Sequence, residues 1–375
     1  MNRRPMKVVC FEYVTGGGAY ENPALFDPGG SFLREGAAML LAVLADLRRV
    51  PGVSLRVLRD RRLANLKLPI GESVDVASAV EFVTQVAREA RLADRVFLIA
   101  PECGGVLGKC IDAIEAAGGT PLTPSGELVR IASDKNETAR CLNAAGVPVP
   151  FGICLGPGEA LPRDFTYPAV LKPADGAGSA DVRLIPAWRS SLATPFSDGQ
   201  WRLERFMPGR AASVSVLAID GSLSCFPPCW QHLSDDGRFE YRGGATPIPR
   251  WASVRAEALA RAAVAALPPS SGIFGFDVVL AESPTGQPSS ATTTETIDGN
   301  DNSTTGRFFP GDVVIEVNPR LTTSYLGIRR LLVDNPMEVL LTGRIPALWR
   351  LATSVSPESP IVFTAEKLTR INREE

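Results

Sequence analysis

Glu316, Asn318 and Arg320 are spaced two residues apart, directly after the apolar run Val313-Val314-Ile315. Side chains of a β-strand alternate between faces, so these three point the same way. Glu and Asn are oxygen ligands suited to Mg²⁺, and Arg suits a phosphate or carboxylate beside them. The competing reading is a polar outer face on an edge strand. It is weakened by the preceding residues, which read as fully buried. The strand end is therefore a candidate metal–phosphate station.

A second group of residues has matching chemistry. The strand-like Tyr167-Pro168-Ala169-Val170-Leu171 delivers Lys172, and the small residues Gly176, Ala177, Gly178 and Ser179 follow. Backbone N–H groups of such a loop can close around phosphate oxygens, and Lys adds a point charge. No Gly-Lys-Ser/Thr follows the glycines, so this is not a Walker A motif. Ordinary hairpin chemistry remains the alternative. A third group is Asp277, inside Phe274-Gly275-Phe276-Asp277-Val278-Val279-Leu280. A carboxylate in so apolar a strand is costly unless it is paired or metal-bound.

The elements that must position these groups alternate strand and helix through the first 120 or so residues. Lys7–Tyr13, Val53–Leu58 and Arg95–Ala100 read as strands. Glu35–Arg49, Val76–Arg91 and Gly108–Ala117 read as helices, the last closed by Gly118-Gly119. That pattern predicts a doubly wound parallel sheet. Next, Ser133 is a candidate N-cap for a helix over Asp134–Ala145. Short strands are expected at Phe151–Cys154, Ala169–Leu171, Val182–Ile185 and Trp201–Phe206. Further on, Ser213–Ile219, Phe274–Leu280 and Val313–Val317 read as strands, and Ser253–Leu267 as a helix. The Ser, Thr, Gly, Asn and Asp residues between Glu282 and Phe309 predict a mobile connection. The expected organisation is an N-terminal α/β domain over 1–123, a second unit over 124–208 and a third over 209–375, with an insert at about 282–310.

Composition narrows the partners. The chain has 375 residues, 39 Lys+Arg against 41 Asp+Glu and a net charge of −2, so no basic excess points to nucleic acid or an anionic membrane surface. The longest apolar runs, such as Ala37–Ala45, are too short to span a bilayer. Met1–Arg4 is basic, yet Lys7–Val14 reads as a strand rather than a signal-peptide core, and a cytoplasmic protein is expected. Seven scattered cysteines without a CxxC pair argue against a disulfide framework or zinc site, and Cys225 and Cys229 read as structural. The single histidine, His232, excludes any mechanism needing a His pair. It is expected on a polar loop, either solvated or touching substrate. The turn Gly16-Gly17-Gly18 does not continue as a dinucleotide fingerprint, because residue 21 is Glu.

Taken in order, Asp134-Lys135, Lys172 with its glycine loop, Glu204-Arg205-Phe206-Met207-Pro208-Gly209, Asp277, and Glu316 with Asn318 resemble the ATP-grasp superfamily over roughly residues 125–345. The resemblance implies an α/β fold in which two subdomains clamp ATP, behind an N-terminal parallel α/β domain. It implies that Lys135 and Lys172 contact ATP phosphates and that 176–179 is a mobile lid loop. Glu204, Arg205, Phe206 and Met207 become an adenine-binding hinge working through its backbone, with Gly209 as the following turn. Asp277, Glu316 and Asn318 become ligands of Mg²⁺ or Mn²⁺, expected as two ions, and Arg320 steadies the transferred phosphate or acyl intermediate. Lys172 and Arg320 are then the catalytic cations. Bland alternatives stay open: Lys135 as an exposed helix lysine, and Glu204 as a partner of a surface arginine.

Three further motifs narrow the resemblance. Phe11-Glu12-Tyr13-Val14-Thr15-Gly16-Gly17-Gly18, Arg34-Glu35-Gly36 with Met39-Leu40, and Asn318 to Tyr325 together resemble the tyramine–glutamate ligases of methanofuran biosynthesis. The implied activity is ATP-dependent amide formation between a carboxylate and an amine through an acyl phosphate. Its partners are small molecules, and a homodimer is compatible with it. The separation of Asp277 from Glu316 is longer than expected for that subgroup. Other amino-acid pairs and a non-catalytic ATP-binding module are the rival readings. Thr322-Thr323-Ser324 reads either as substrate-contacting or as a capped loop leading into a helix at Gly327–Leu332.

Overall fold

The computed structural model describes residues 4–27, 30–70, 72–176, 178, 180–195, 199–282 and 308–365. The N-terminal unit is a parallel sheet built from β1 (Met6–Glu12), β2 (Val53–Asp60), β3 (Ser73–Val76) and β4 (Arg95–Ile99), in the order β3-β2-β1-β4. Residues Val8 to Glu12 of β1 are all buried, as a strand covered on both faces requires. Helix α1 (Ser31–Leu47) packs Leu40, Leu44 and Leu47 on one face. Helices α2 (Ala79–Leu92) and α3 (Val106–Ala116) bring Phe82, Val86, Ile111 and Ile114 to the other. Helices on both faces make the sheet doubly wound, as the alternating pattern predicts.

One strand here is hidden in the sequence. Ser73–Val76 reads as loop and helix start, but it pairs with β2. Helix α2 cannot start at Val76, because its boundary is set by a reciprocal cap. Ser78 Oγ accepts the Glu81 N–H, and the Glu81 carboxylate accepts the Ala77 N–H.

Two short helices follow, α4 (Gly126–Ala132) and α5 (Lys135–Ala144). Asp134, not Ser133, caps α5, accepting the N–H groups of Asn136 and Glu137. Ser133 instead donates its hydroxyl to the Val129 carbonyl. Next comes a four-stranded antiparallel sheet of β5 (Gly152–Leu155), β6 (Ala169–Pro173), β7 (Arg183–Ile185) and β8 (Trp201–Arg205), in the order β5-β8-β6-β7. Its own small core holds Leu155, Leu171, Trp201 and Leu203.

The last unit is a seven-stranded sheet of β9 (Arg210–Ile219), β10 (Ser222–Cys225), β11 (Cys229–Leu233), β12 (Tyr241–Thr246), β13 (Gly272–Leu280), β14 (Val313–Asn318) and β15 (Ile361–Phe363). Its order is β14-β13-β9-β11-β12-β15, with β10 beside β9. Helix α6 (Arg250–Ala266) covers one face. On the other side, α7 (Tyr325–Leu331) and α8 (Pro336–Thr342) join the core beneath α1. Strands β10 to β12 were not expected. In consequence His232, expected on a polar loop, lies in β11 and is exposed. The expected mobile connection falls on residues 283–307, outside the described residues. Among the described residues no helix is long and apolar enough to cross a membrane.

Gly36 lets α1 lie against the end of β1. A Cβ there would sit 2.5 Å from the carboxylate carbon of Glu12. That carboxylate is held by the N–H groups of Val14 and Thr15 and by the Thr15 hydroxyl, so it cannot swing aside freely. Overpacking of this kind costs about 1–3 kcal/mol. Gly36→Ala is therefore expected to lower unfolding stability by about that amount in denaturant titration; an unchanged midpoint contradicts the tight contact.

Candidate active site

The site begins with an irregularity in β14. Asp277 lies opposite Glu316 and Gly275 opposite Asn318, but Val278 pairs with Val314, leaving Ile315 as an extra residue. Such a bulge breaks strict alternation and re-aims side chains. Here Ile315 and Glu316, adjacent in sequence, both line one cavity, together with Asn318 and Arg320. The same cavity is lined by Asp277 from β13, Lys135 from the start of α5, Lys172 from β6, and residues 204 to 207.

Asp277 lies at the floor, held by two amide donors. Asn318 Nδ2 donates to its Oδ2 at 3.1 Å and Gln231 Nε2 to its Oδ1 at 2.9 Å. Burial, then the Glu316 charge, pushes its carboxyl up to about 7, although both amides oppose the rise. Glu316 behaves oppositely. Burial acts to raise its pKa, but Lys135 and Lys172, with Arg320, outweigh it and hold the carboxyl below its usual range. Two adjacent carboxylates are thereby split into one poised near neutrality and one firmly ionised.

Lys135, Lys172 and Arg320 each have a carboxylate partner. Lys135 Nζ is 3.0 Å from Glu316 Oε1 and donates to the Gly176 carbonyl at 2.5 Å. Lys172 Nζ is 2.5 Å from Glu204 Oε1, with the bulge carbonyl of Ile315 at 3.4 Å. Arg320 Nε donates to Glu102 Oε2 at 2.5 Å, and Nη1 to the Leu321 carbonyl. The exposed-lysine alternative for Lys135 does not hold, since only 8% of its surface is accessible. Nor does Glu204 pair with a surface arginine: its second oxygen takes Nε of the buried Arg202 at 2.8 Å.

The segment expected to bind adenine through its backbone is partly committed already. The N–H of Arg205 donates to Phe151 and that of Phe206 to Pro168. Among the described residues the N–H of Met207 has no partner, so it is the donor still available there. Gly209 follows at φ 152, where a Cβ would meet the Leu280 carbonyl at 2.5 Å, so the turn requires glycine. Of the expected glycine loop, Gly176 and Gly178 line the cavity, whereas Ala177 and Ser179 lie outside the described residues. The loop is docked on the N-terminal unit. Asp175 accepts the Gly104 N–H at 2.9 Å, and Gly178 faces the ring of Phe32.

Sequence reasoning missed Glu102, Arg202, Gln231, Tyr241 and the position of Glu35. Glu102 had one available signal, its place just beyond the C-terminal end of parallel strand β4, where such sheets build their sites. Gln231 and Tyr241 sit on the unforeseen strands and carried none.

A divalent cation fits the donor set. Among the described residues no three His, Cys, Asp or Glu side chains stand together to cage a metal. Two carboxylates and an amide, Asp277, Glu316 and Asn318, suit Mg²⁺ held jointly by protein oxygens and phosphate oxygens.

Residues 132–324 match the ATP-grasp domain model, and residues 53–129 match a pre-ATP-grasp domain model. With more than half of its length matched, the chain belongs to the ATP-grasp family, whose members bind ATP with Mg²⁺ or Mn²⁺. No curated protein sequence matches significantly. Among solved structures, the fold is similar to an ATP-grasp superfamily protein from Archaeoglobus fulgidus (20% identity, TM-score 0.63, covering 90% of this chain and 88% of that one). It is also similar to the L-amino acid ligase from Bacillus licheniformis (16%, 0.56, 91% and 74%). Biotin carboxylase from Campylobacter jejuni aligns as well (17%, 0.65, 96% and 74%).

The raised Asp277 pKa gives a signed pH dependence. Without metal, the native state holds this proton between about pH 4 and the folded value of about 7, and the unfolded chain does not. Stability contributed here is therefore lost as pH rises through that window. Cation binding must displace the proton, so Mg²⁺ affinity should rise up to about tenfold per pH unit below pH 7. Calorimetric titration of Mg²⁺ with ATP at pH 6 and 8 checks this. Asp277→Asn should flatten the difference, and an equally steep profile in that variant removes Asp277 from the site.

Proposed function

We propose that the protein is an ATP- and Mg²⁺-dependent ligase that joins an amino-acid carboxylate to an amine, with glutamate and tyramine as the favoured pair and a methanofuran-type one-carbon cofactor as the product pathway. The observation that carries the reading is the convergence of Asp277, Glu316 and Asn318 with Lys135, Lys172 and Arg320 on one cavity between the two antiparallel sheets. The relatives named above include a ligase of L-amino acids.

In this reading Asp277, Glu316 and Asn318 hold two Mg²⁺ ions, which supply charge neutralisation at the phosphate oxygens when bound. Lys135 and Lys172 leave their carboxylate partners to contact ATP phosphates, and Met207 offers its N–H to adenine. A substrate carboxylate oxygen attacks the γ-phosphorus and the bond to the bridging oxygen of ADP breaks. Arg320 stabilises the charge on the resulting acyl phosphate. The amine nitrogen then attacks the acyl carbon, its C–O bond to phosphate breaks, and the nitrogen loses its proton. Among the described residues the cavity lining contains neither cysteine nor a histidine that could activate a hydroxyl, in keeping with phosphate as the acyl carrier. The glycine loop, docked on Gly104 and Phe32, excludes water that would hydrolyse that intermediate.

The narrower choice of substrates draws support from where the three subgroup motifs meet. Glu12 and Glu35 both act electrostatically on Arg320, and Leu321 to Ser324 continues from it. Thr322, Thr323 and Ser324 line the cavity.

Two measurements test the proposal. Wild-type protein with ATP, Mg²⁺ and glutamate should release phosphate faster when tyramine is added than with other amines. Stimulation by no amine sinks the ligase reading, and stimulation by an amino acid alone corrects the pair to a dipeptide. Glu316→Gln should lower turnover by about 10²-fold or more. Its melting temperature should fall as well, because Lys135 keeps an amide acceptor but loses its counter-charge, so turnover is compared at a temperature where both proteins are folded.

A further inference from the structure

The carboxylates of the cavity are accounted for with one exception. Glu316, Glu204, Glu102 and Asp277 each hold a cation or an amide donor. Glu35, presented to the same cavity by the first turns of α1, makes no hydrogen bond or ion pair among the described residues. Arg320 lies close enough to lower its pKa, but among the described residues the hydrogen bonds of its guanidinium go to Glu102 and the Leu321 carbonyl and not to Glu35. The buried hydroxyl of Tyr241, on the same cavity, makes no hydrogen bond of good geometry; the Thr323 side chain stands beside it, and it feels the Glu35 charge. An unpaired carboxylate and a phenol hydroxyl lining one cavity form a receptor for a small cation that donates several hydrogen bonds.

We propose that Glu35, assisted by the Tyr241 hydroxyl, receives the primary ammonium group of a ligase substrate. This deepens the function proposed above and rests on the cavity being its substrate pocket. The mount for Glu35 is rigid. Gly36 presses α1 against the fixed carboxylate of Glu12. At the other end of the helix, Asp46 accepts from Tyr325 at 2.7 Å and takes Arg329 through both oxygens. A charged acceptor held in this way discriminates, because a ligand lacking the cation leaves it half-buried and unpaired. Two ammonium groups can supply the chemistry: the α-ammonium of the amino acid, or the ammonium of the amine before it attacks.

Equilibrium binding, read without turnover, separates these sources. The full chain is titrated in ADP and Mg²⁺ with two pairs of probes, glutamate against glutarate and tyramine against 4-ethylphenol. Wild-type protein should prefer the amino member of one pair by about 10- to 100-fold, the range for a hydrogen bond to a charged group. That pair identifies the source. In Glu35→Gln the preference should collapse to less than about threefold, while ADP affinity stays at the wild-type value. Glu35→Asp, which keeps the charge, should restore part of it, and Tyr241→Phe should reduce it less than Glu35→Gln does. A wild-type preference for neither amino compound overturns the proposal, as does a preference that survives Glu35→Gln. So does equal loss in the Gln and Asp variants, which is the signature of a merely structural role. If phosphate release fails but the ammonium preference depends on Glu35, the ligase reading falls and the ammonium receptor stands.

Discussion

The structure depends on a closed set of buried ion pairs. Lys135 with Glu316, Lys172 with Glu204 and Arg202, and Arg320 with Glu102 place seven charged side chains around one cavity. Taking such groups out of water costs several kcal/mol each unless partners replace the solvent. No single element could carry them, so the pairs bridge elements. Lys135 at the start of α5 reaches β14, and Lys172 reaches across β6 to β8. Arg320, just past β14, reaches the loop after β4, 218 residues away in sequence. Removal of one member strands the other as an uncompensated buried charge, an arrangement worse than an apolar replacement of both. The three units are thus held in register by the same groups that are proposed to do the chemistry.

That arrangement also explains how highly charged ligands can be admitted. In the proposed function, the negative phosphates of a nucleotide would compete for Lys135 and Lys172, and a divalent cation for Glu316. Each exchange replaces one opposite-charge contact by another, so the cavity need not expose a bare charge at any stage. Asp277 is the exception. Its carboxyl lies near neutrality because burial and Glu316 both oppose its ionisation, and its two amide donors do not compensate in full. It is the group for which a cation does most, because the cation supplies the compensation that the apo cavity lacks.

What was legible in the sequence followed from local pattern. The run into Glu316 and Asn318 and the apolar strand around Asp277 announced themselves, because a polar side chain interrupting buried strands needs a reason. The parallel N-terminal sheet was visible in strand–helix alternation. The failures were also physical. Strands β10 and β11 are separated by Pro227-Pro228, and β12 contains Gly243-Gly244, so their composition reads as turn. The bulge at Ile315 shifts alternation by one residue, and no sequence rule locates it. The expected backbone role of Glu204 gave no sign that its carboxylate bridges Lys172 and Arg202. Glu102 and Arg202 act through partners, and partner choice is a property of the assembled fold.

The N-terminal unit is therefore more than a platform. Its parallel sheet ends at the cavity, where open α/β sheets gather their ligand-binding residues. From that edge come Glu102, which orients Arg320, and Gly104, which anchors Asp175 of the glycine loop. Helix α1 starts at the cavity and runs away from it. Glu35 and Asp46 are roughly 16 Å apart along its axis at 1.5 Å per residue. Asp46 fixes Tyr325 and Arg329 of α7, the helix that follows Thr322 to Ser324 directly. Glu35 and the Thr322–Ser324 segment consequently belong to one rigid body, tied at both ends of α1. Among the described residues, the glycine loop meets that body through Asp175 and the Phe32 contact. The geometry between Glu35, Arg320 and the threonines is set by contacts of the N-terminal unit with Arg320 and α7. In the proposed ligase a reactive acyl phosphate must stay aligned with an incoming amine, and such fixed geometry serves that step, because positional error costs rate directly.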